Sequence, residues 1–589
     1  MAAIAGWLAG RNAPDAAALV APLEALAHRG ADDPGIATFE TETRHRIALG
    51  HAHCDEDAGI AVALDGPIAN RAALETTLAP RGHRFEAGSA AEALVRAYEH
   101  WDKDVVLHLR GAFAFALWDA RKERLMLARD RFGEKPLYLC ERAGQLHFAS
   151  QIGALLRMPG IQARPDPGAV RDYLAYRYVP GPRTLVEGIR KLAPGSYALW
   201  QFGRLREARY WSPPDRNANH SRAPGDPVEQ FTEKLDEVVR MHAGGAVLLS
   251  GGLDSAALVA LASRHGKVKT FAAGFADDPA SELATAAQVA QRFGAEHHEI
   301  ILSPRDVMSR LAQVVVKRDA PLSRPADVAL HFIACEAART TRAALTGEGA
   351  DEVLGGYRRH FAERYGWGLR SLPTLLLLCA PLARSRPRLR TALDSLRTRD
   401  WRARVVRWVG SERNSLIASS VIFHPNKPPF DADPHASSLR RALYFDQSSW
   451  LPDNVLERTD RMTMAASLEA RAPFLDHRLV EFVSTLPDAL RVRGLATKWI
   501  LREALRPLLA GLRPRKAGFA IPVGAWLRGE LSDWLLDHLR GAGSITRPFY
   551  DTAALDRLLD EHLAGRRNHE DILWTLLNLE IWHRTSRPG

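Results

Sequence analysis

A run of small and hydroxyl residues, Ser250-Gly251-Gly252-Leu253-Asp254-Ser255, follows the apolar stretch 246–249. Glycines let a backbone approach a phosphate chain closely, and amides at the beginning of a helix favour a bound anion. Two serine hydroxyls add hydrogen-bond donors to those amides. The pattern G-x-x-x-x-G-K-[ST] of the common nucleotide-binding loop does not occur in the chain. The run therefore predicts a phosphate-binding loop that leads from a strand into a helix over 256–263.

Three acidic residues, Glu348, Asp351 and Glu352, fall within five positions and follow the apolar run 343–345. Clustered carboxylates raise one another's pKa unless a cation shares their site. Mg²⁺ held between carboxylates and a pyrophosphate suits such a cluster. One of the acids could instead remove a proton from an attacking amine. The cluster predicts a metal site, a general base, or both.

Lys498 stands far along the chain from both motifs, in Lys498-Trp499-Ile500-Leu501-Arg502. A lone lysine is usually a surface residue. A lysine can, however, stabilise the negative charge of phosphates at a binding loop. We therefore predict that Lys498 serves the same site.

The elements that position these residues follow from the spacing of apolar residues. Short apolar runs at 246–249, 270–275 and 343–345 are separated by helical patterns, which indicates a parallel sheet in an α/β domain. Beyond Tyr357 the pattern is almost wholly helical. The loop and the acidic cluster are each predicted to follow a buried strand of this sheet.

The first 200 or so residues have a different pattern. Residues 111–119, 124–128 and 145–149 are predicted strands, and 90–100 is a predicted helix. A chain of 589 residues is too long for one core at roughly 100–200 residues per domain. A polar, proline-rich stretch separates the two patterns. We predict an N-terminal domain over 1–205, a linker over 206–228 and a C-terminal domain over 229–589.

The net charge of +10 raises the question of a nucleic-acid or membrane partner. We predict neither, because no block of five or more basic residues occurs and the longest apolar run is far too short for a bilayer. The four cysteines are far apart and form no C-x-x-C pair. This spacing argues against zinc or disulfides and predicts a reducing cytoplasm.

Further motifs carry a family resemblance: His28-Arg29-Gly30, ARDRFGEKPLY at 128–138, YVPGPRT at 178–184, KLAPG at 191–195, GAEHHE at 294–299, DRMTM at 460–464 and SLEARAPFLD at 467–476. With the SGGLDS loop, they resemble the asparagine synthetase B family over nearly the whole chain. The resemblance implies an N-terminal glutamine amidotransferase-like domain with an Ntn-type αββα sandwich. It also implies a C-terminal parallel-sheet α/β ATP-pyrophosphatase domain with a large helical part.

The resemblance also implies residue roles, with ATP and Mg²⁺ as cofactors. Glu348 would be the base that readies the attacking amine, and Lys498 would stabilise the charge of adenylate formation. Asp254 and Asp351 would help to hold Mg²⁺. The implied contacts to ATP and pyrophosphate are Leu249, Ser250, Gly251, Gly252, Leu253, Asp254, Ser255, Gly274, Thr346 and Gly347.

The glutaminase half departs from the family pattern at several positions. The family has a cysteine nucleophile after the initiator methionine, where this chain has Ala2. Its glutamine-binding arginine falls at His53, and its oxyanion-hole asparagine falls at Asp65, whose carboxylate would repel an oxyanion. Where the family has a glutamate, this chain has Pro67, and where the family has an aspartate, it has Ala90. We predict that this domain keeps its fold and does not hydrolyse glutamine.

The acyl substrate is also in question, because Ala320 and Arg324 stand where the family often has acids. One hypothesis is that an amine of the substrate itself attacks, giving a lactam or macrolactam, as in β-lactam synthetases and lasso-peptide cyclases. The carboxylate would then belong to a small molecule or a peptide. In the case of a peptide, the expected partners are a precursor peptide and its protease. The alternatives are an ammonia-dependent asparagine or primary-amide synthetase, and a nucleotide-binding pseudoenzyme scaffold.

Overall fold

A computed structural model describes most of the chain. The described residues are 3–10, 13–30, 35–42, 44–51, 53–55, 59–86, 88–214, 225–242, 245–275, 282–370, 393–395, 397–398, 400–409, 433, 435–512 and 522–585. Ala2, the position of the missing nucleophile, and much of the predicted linker lie outside these residues.

The N-terminal part contains two antiparallel sheets. Its strands are β1 (Ala5–Ala9), β2 (Ile36–Glu40), β3 (Arg46–Gly50), β4 (His53–Asp55), β5 (Ile60–Asp65), β6 (Ala114–Asp119), β7 (Arg124–Arg129), β8 (Tyr138–Arg142), β9 (Gln145–Ala149), β10 (Ile189–Lys191), β11 (Ser196–Gln201) and β12 (Arg204–Arg209). One sheet has the order β10-β8-β9-β1-β3-β2 and the other β12-β11-β7-β6-β5-β4. Helices of this part are Val20–Leu26, Arg71–Leu78, Ala90–Trp101, Val105–His108, Ile152–Leu155 and Pro167–Tyr176.

The two sheets stack face to face. Successive side chains of β1 point to opposite faces, as strand geometry requires. Leu8 packs between the sheets with residues such as Leu127, whereas Trp7 packs on the other side with helix residues such as Leu23. The outer face of the second sheet is covered by further helices. The layers are therefore helix, sheet, sheet and helix, which confirms the predicted αββα sandwich.

The C-terminal part is built on a parallel sheet. Its strands are β13 (Ala246–Leu248), β14 (Lys269–Phe275), β15 (Glu296–Leu302), β16 (Ala343–Leu345) and β17 (Glu469–Arg471). They pair in parallel in the order β15-β14-β13-β16-β17. A small hairpin, β18 (Val492–Arg493) and β19 (Ala496–Thr497), lies apart from this sheet.

Helices make up most of the remaining C-terminal part. They are Pro227–His242, Leu253–Ala262, Leu283–Arg292, Pro304–Arg318, Ala326–Ala338, Ala350–Leu354, Arg358–Arg370, Trp401–Val409, Ser438–Phe445, Glu457–Met464, His477–Thr485, Trp499–Leu505, Val523–Arg528, Ser532–Leu539, Thr552–Leu563 and Glu570–Thr585, with a π-helix over Asp446–Leu456. The predicted α/β domain with a large helical part is confirmed. None of the described helices is long and apolar enough to cross a membrane.

Element boundaries differ from the predicted ones at several places. The helix after the pyrophosphate loop begins at Leu253 rather than at 256, because the extended backbone of Gly252 already caps its first turn. Asp254 and Ser255 therefore belong to a helix, not to a loop. In the segment predicted as a linker, β12 runs to Arg209 and a helix begins at Pro227.

Candidate active site

The predicted pyrophosphate loop lies at the carboxyl end of β13, where ligands of parallel α/β sheets bind. The loop is held by its own serines. Ser255 Oγ lies 3.1 Å from both the amide and the hydroxyl of Ser250, and it donates to the Ser250 carbonyl at 2.8 Å. The helix that begins at Leu253 directs its positive end to the same place. The arrangement is suited to an anion.

The loop after β16 packs directly against this helix. A Cβ added at Gly347 would lie 2.9 Å from the Cβ of Asp254, so only glycine allows the approach. The amide of Thr346 donates to the carbonyl of Arg471 in the neighbouring strand at 2.8 Å. The structure therefore brings the two predicted motifs together at one edge of the sheet.

Lys498 joins the same two motifs. Its Nζ lies 2.7 and 2.6 Å from the two carboxylate oxygens of Asp254 and 2.6 Å from Asp351 Oδ1. Lys498 has φ 52°, a left-handed conformation that non-glycine residues rarely adopt. A Cβ at Gly356 would overlap both Asp351 Oδ1 and Lys498 Cε, so the chain closes tightly around this ion pair.

The same carboxylates are the predicted Mg²⁺ ligands. No group of three potential metal-ligating side chains occurs in the described part of the chain. Asp254 and Asp351 nevertheless direct hard oxygen donors at one point, now held by Lys498 Nζ. Mg²⁺ is usually bound by one or two carboxylates together with substrate phosphates. The pair fits a magnesium ion that enters with ATP, whose positive charge would stabilise the pyrophosphate.

Glu348 is paired with an arginine, whereas Asp254 and Asp351 are paired with Lys498. Glu348 Oε1 accepts a hydrogen bond from Arg458 Nη2 at 2.8 Å and lies 3.4 Å from the hydroxyl of Thr459. The Arg458 Nε in turn lies 3.7 Å from Asp327 Oδ1. The side chain of Glu348 stays partly exposed, which leaves it accessible to a substrate. Arg458 and Asp327 were not found by sequence reasoning, since neither lies in a motif that indicates chemistry.

The third acid of the predicted cluster, Glu352, is not on the surface of the site. It is buried and accepts a hydrogen bond from the Tyr357 hydroxyl at 2.5 Å. Burial, with the nearby Asp351 charge, raises the pKa of Glu352 to about 8. Adjacent positions on a helix point in different directions, so sequence proximity alone did not separate Glu352 from Asp351.

Leu249 and Gly274 lie at the same sheet edge. The Leu249 amide donates to the Phe271 carbonyl at 2.8 Å, which continues the β13–β14 ladder beyond Leu248. Gly274 lies near the carboxyl end of the adjacent strand β14. Their nucleotide contacts remain predictions.

Asp65, the predicted substitute for an oxyanion-hole asparagine, is buried and contacts two protein side chains. Its carboxylate lies 3.0 Å from Arg29 Nη2 and accepts from the Ser150 hydroxyl at 2.7 Å. Ser150 also binds the Ile4 amide at 3.0 Å, so Asp65 lies close to the beginning of the chain.

The other predicted lost positions are more scattered. His53 lies in β4, Pro67 lies just beyond β5, and Ala90 begins a helix capped by the Ser89 hydroxyl. No hydrogen bond or ion pair found in the described residues links these three positions to Asp65. That these three positions and Asp65 correspond to the glutamine site of the family stays a prediction.

Arg29 extends the Asp65 contact across to the C-terminal part. Its Nη1 and Nη2 donate to the two oxygens of Asp460 at 2.8 and 3.0 Å. Lys135 Nζ lies 3.2 Å from the same carboxylate. Burial alone would raise the pKa of Asp460, but Arg29 and Lys135 outweigh burial and hold it well below its usual range. Sequence reasoning quoted Arg29 and Asp460 only as motif residues and did not predict their pairing.

An αββα amidotransferase-like domain, joined to a parallel-sheet domain with a pyrophosphate loop, two acids and a lysine, defines an AMP-forming carbon–nitrogen ligase. The family model described as asparagine synthase matches residues 230–584, and the one described as glutamine amidotransferase domain matches residues 1–211. The chain belongs to the asparagine synthase family.

Relatives of the whole chain support this assignment. A putative asparagine synthetase (glutamine-hydrolyzing) of Mycobacterium tuberculosis is 33% identical over 99% of this chain and 96% of its own. Asparagine synthetase (glutamine-hydrolyzing) 1 of Bacillus subtilis is 30% identical over 90% of this chain and 86% of its own. Amidase chry2 of Gibberella zeae is 26% identical over 92% of both chains.

Proposed function

We propose that this enzyme adenylates a substrate carboxylate and forms an amide without hydrolysing glutamine. The observation that carries the proposal is the state of Asp65. Arg29 and Ser150 hold it as an ion-paired carboxylate, whereas an oxyanion needs neutral or positive donors. Ala2 supplies no thiol at the position where the family has its cysteine. Two relatives carry names that include glutamine hydrolysis, so the proposal separates this chain from them.

In the first step, the substrate carboxylate attacks the α-phosphorus of ATP. The bond between the α and β phosphates breaks, and pyrophosphate leaves. The Ser250–Ser255 run and the helix start behind it would bind the departing pyrophosphate. Asp254 and Asp351 would hold the Mg²⁺ that accompanies ATP, and the ammonium group of Lys498 would contact the phosphates. The positive charge that Lys498 supplies stabilises the step.

In the second step, an amine attacks the acyl carbon, and AMP leaves. The amine loses a proton, for which Glu348 is the proposed acceptor because it is partly exposed and its position is fixed by Arg458. In this proposal, Lys498 serves the phosphate chemistry and Glu348 serves the amine chemistry.

The amine itself is proposed to belong to the substrate, so that the product is a lactam or macrolactam. An internal amine is held near the adenylate at a high effective concentration and needs no ammonia supply. The carboxylate would come from a small molecule or a peptide. If it is a peptide, a precursor peptide and its protease are the expected partners. The second candidate is free ammonia with a primary amide as product, which the names of the relatives favour.

Three measurements test the proposal on the purified full chain. Incubation with glutamine should release no glutamate above background, and release would overturn the loss of glutaminase. ATP with a substrate should give AMP and pyrophosphate, both abolished by EDTA, whereas ADP would contradict adenylation. The product mass separates the two amines, since lactam formation loses water alone and amidation gains ammonia as it loses water.

A further inference from the structure

A small cavity lies in the helical part of the C-terminal domain, and none of its described lining residues belongs to a strand. Its walls include Arg440 of the helix Ser438–Phe445, Ser484 of the helix His477–Thr485, and Arg491. Its volume of about 20 Å³ is enough for about one water-sized group. The residues predicted to bind ATP, Mg²⁺ or the amine are not among those that line it. The cavity is therefore separate from the proposed adenylating site.

Arg491 is buried beside this cavity with part of its guanidinium unused. Only 4% of the residue is exposed. Its Nη2 donates to the Val483 carbonyl at 2.5 Å, whereas its Nε and Nη1 have no hydrogen-bond partner among the described residues. A buried N–H group without a partner costs free energy. These two groups therefore favour a ligand that accepts hydrogen bonds.

Two arginines share one carboxylate at this place. Asp488 Oδ1 lies 3.2 Å from Arg440 Nε but 3.6 Å from Arg491 Nη1, so Arg440 is its closer partner. The other oxygen of Asp488 accepts a hydrogen bond from the Ser437 hydroxyl at 2.6 Å. Burial, followed by the charge of Arg440, lowers the pKa of Arg491 to about 10, although Asp488 acts in the opposite direction. Two guanidinium groups and one carboxylate carry a net positive charge, which favours an anion in the cavity.

We propose that the cavity binds one monatomic anion, such as chloride, between Arg440 and Arg491. A phosphate or a carboxylate needs more room than one water-sized group, so the volume selects a small ion. Water would supply a hydrogen-bond acceptor but would leave the net charge of the buried group without compensation. The site is independent of the proposed function, because it needs neither ATP nor an acyl substrate.

Arg491 also connects the cavity to Lys498. The Arg491 carbonyl accepts a hydrogen bond from the Trp499 amide at 2.9 Å, and the β18–β19 hairpin lies between these two residues. Trp499 directly follows Lys498, whose backbone is left-handed. An anion that fixes Arg491 would therefore stabilise the hairpin that leads to Lys498. Chloride would act as a positioning ligand for this segment and not as a reactant.

Urea denaturation of the full chain tests the site when chloride is compared with gluconate at constant ionic strength, since gluconate is too large for the cavity. The urea midpoint should rise with the chloride concentration, as mass action requires for a ligand that binds the folded state alone. Arg491→Met should abolish this rise and leave the Arg440–Asp488 pair in place. Arg478→Met is a matched control, because Arg478 is exposed on the helix His477–Thr485, and it should retain the full rise.

Bromide supplies a measurement that does not depend on the folding of a variant. In crystals of the unmodified protein grown with bromide in place of chloride, an anomalous scattering peak is expected between Arg440 and Arg491. Equal urea midpoints in chloride and gluconate, with no bromide peak, would mean that the cavity holds only water and would overturn the proposal. A chloride dependence that persists in Arg491→Met would also contradict it, because the anion would then bind elsewhere. Since no reaction is measured, these outcomes do not depend on whether adenylation occurs.

Discussion

Arg29 of the N-terminal sandwich donates two hydrogen bonds to the carboxylate of Asp460, at 2.8 and 3.0 Å, in the helix Glu457–Met464. Arg458 and Thr459 of the same helix contact Glu348. One short helix thus connects the N-terminal sandwich with the acid proposed to receive the amine proton. The N-terminal domain therefore contributes buried contacts to the helix that carries Arg458.

Arg29→Ala should strongly destabilise the protein. Removing one partner of a buried ion pair leaves the carboxylates of Asp65 and Asp460 buried without their cation, which costs about 3–5 kcal/mol. Chemical denaturation would measure the free energy of unfolding. Arg339→Ala breaks the exposed pair with Glu336 and should change it by about 0.5 kcal/mol or less. Similar values for the two variants would show that the Arg29 contacts contribute little.

Lys498→Met should abolish adenylation while the fold persists. The variant removes the ammonium group that bridges Asp254 and Asp351, so we expect a loss of roughly 10²–10³-fold in AMP formation. Lys498→Arg should also lose activity, because the Lys498 side chain packs tightly against Gly356, where even a Cβ would overlap Lys498 Cε, and a guanidinium is bulkier than an ammonium group. AMP release and circular dichroism are the measurements. Activity near that of the unmodified protein in Lys498→Met would refute the assigned role.

Glu348→Gln should separate the two steps. If Glu348 accepts the amine proton, the variant still exchanges pyrophosphate into ATP in the presence of the acyl substrate but forms no amide. The glutamine side chain can still accept a hydrogen bond from Arg458, so the loop should keep its position. Loss of both exchange and product would place Glu348 in adenylation, and normal product formation would exclude it as the base.

Ala2→Cys alone should not restore glutamine hydrolysis. The introduced thiol would have no oxyanion hole, since Asp65 remains a carboxylate paired with Arg29 and Ser150. Glutamate release should stay at background, and the double variant Ala2→Cys with Asp65→Asn is the informative comparison. Hydrolysis by the single variant would show that Asp65 is no obstacle.

The stability of the protein should fall as the pH falls below about 6.5. Burial lowers the pKa of His28 to about 3 and that of His242 to about 4. Between those values and about 6.5, the unfolded chain binds protons that the folded protein does not, so the free energy of unfolding decreases as the pH is lowered. His242→Gln should flatten this dependence by up to about 1.4 kcal/mol per pH unit. Denaturation at pH 7 and pH 5 measures it.

The control for this pH dependence is His435→Gln, because His435 is exposed. Its free energy of unfolding should follow that of the unmodified protein at both pH values. An unchanged slope in His242→Gln would mean that His242 already takes up its proton in the folded state.

Much of the fold followed from local patterns. The strands at 124–128, 145–149 and 343–345 were predicted almost to the residue, because apolar alternation and short apolar runs are local signals of burial. The beginning of the helix at Leu253 was missed, since Gly252 adopts a capping conformation that residue type alone does not specify. The burial of Glu352, next to Asp351 in the chain, could not be predicted from the sequence either.

The sequence by itself determined the chemistry that is contiguous in the chain: a strand, a glycine–serine run and a helix start that are suited to an anion, with acids in a second such turn. Tertiary structure decided the pairings. Lys498 meets Asp254 across 244 positions, and Arg29 meets Asp460 across 431. The physical reason is that a buried charge must be neutralised by whatever the fold brings within about 3–4 Å. That partner depends on packing between distant segments, which local residue spacing does not encode.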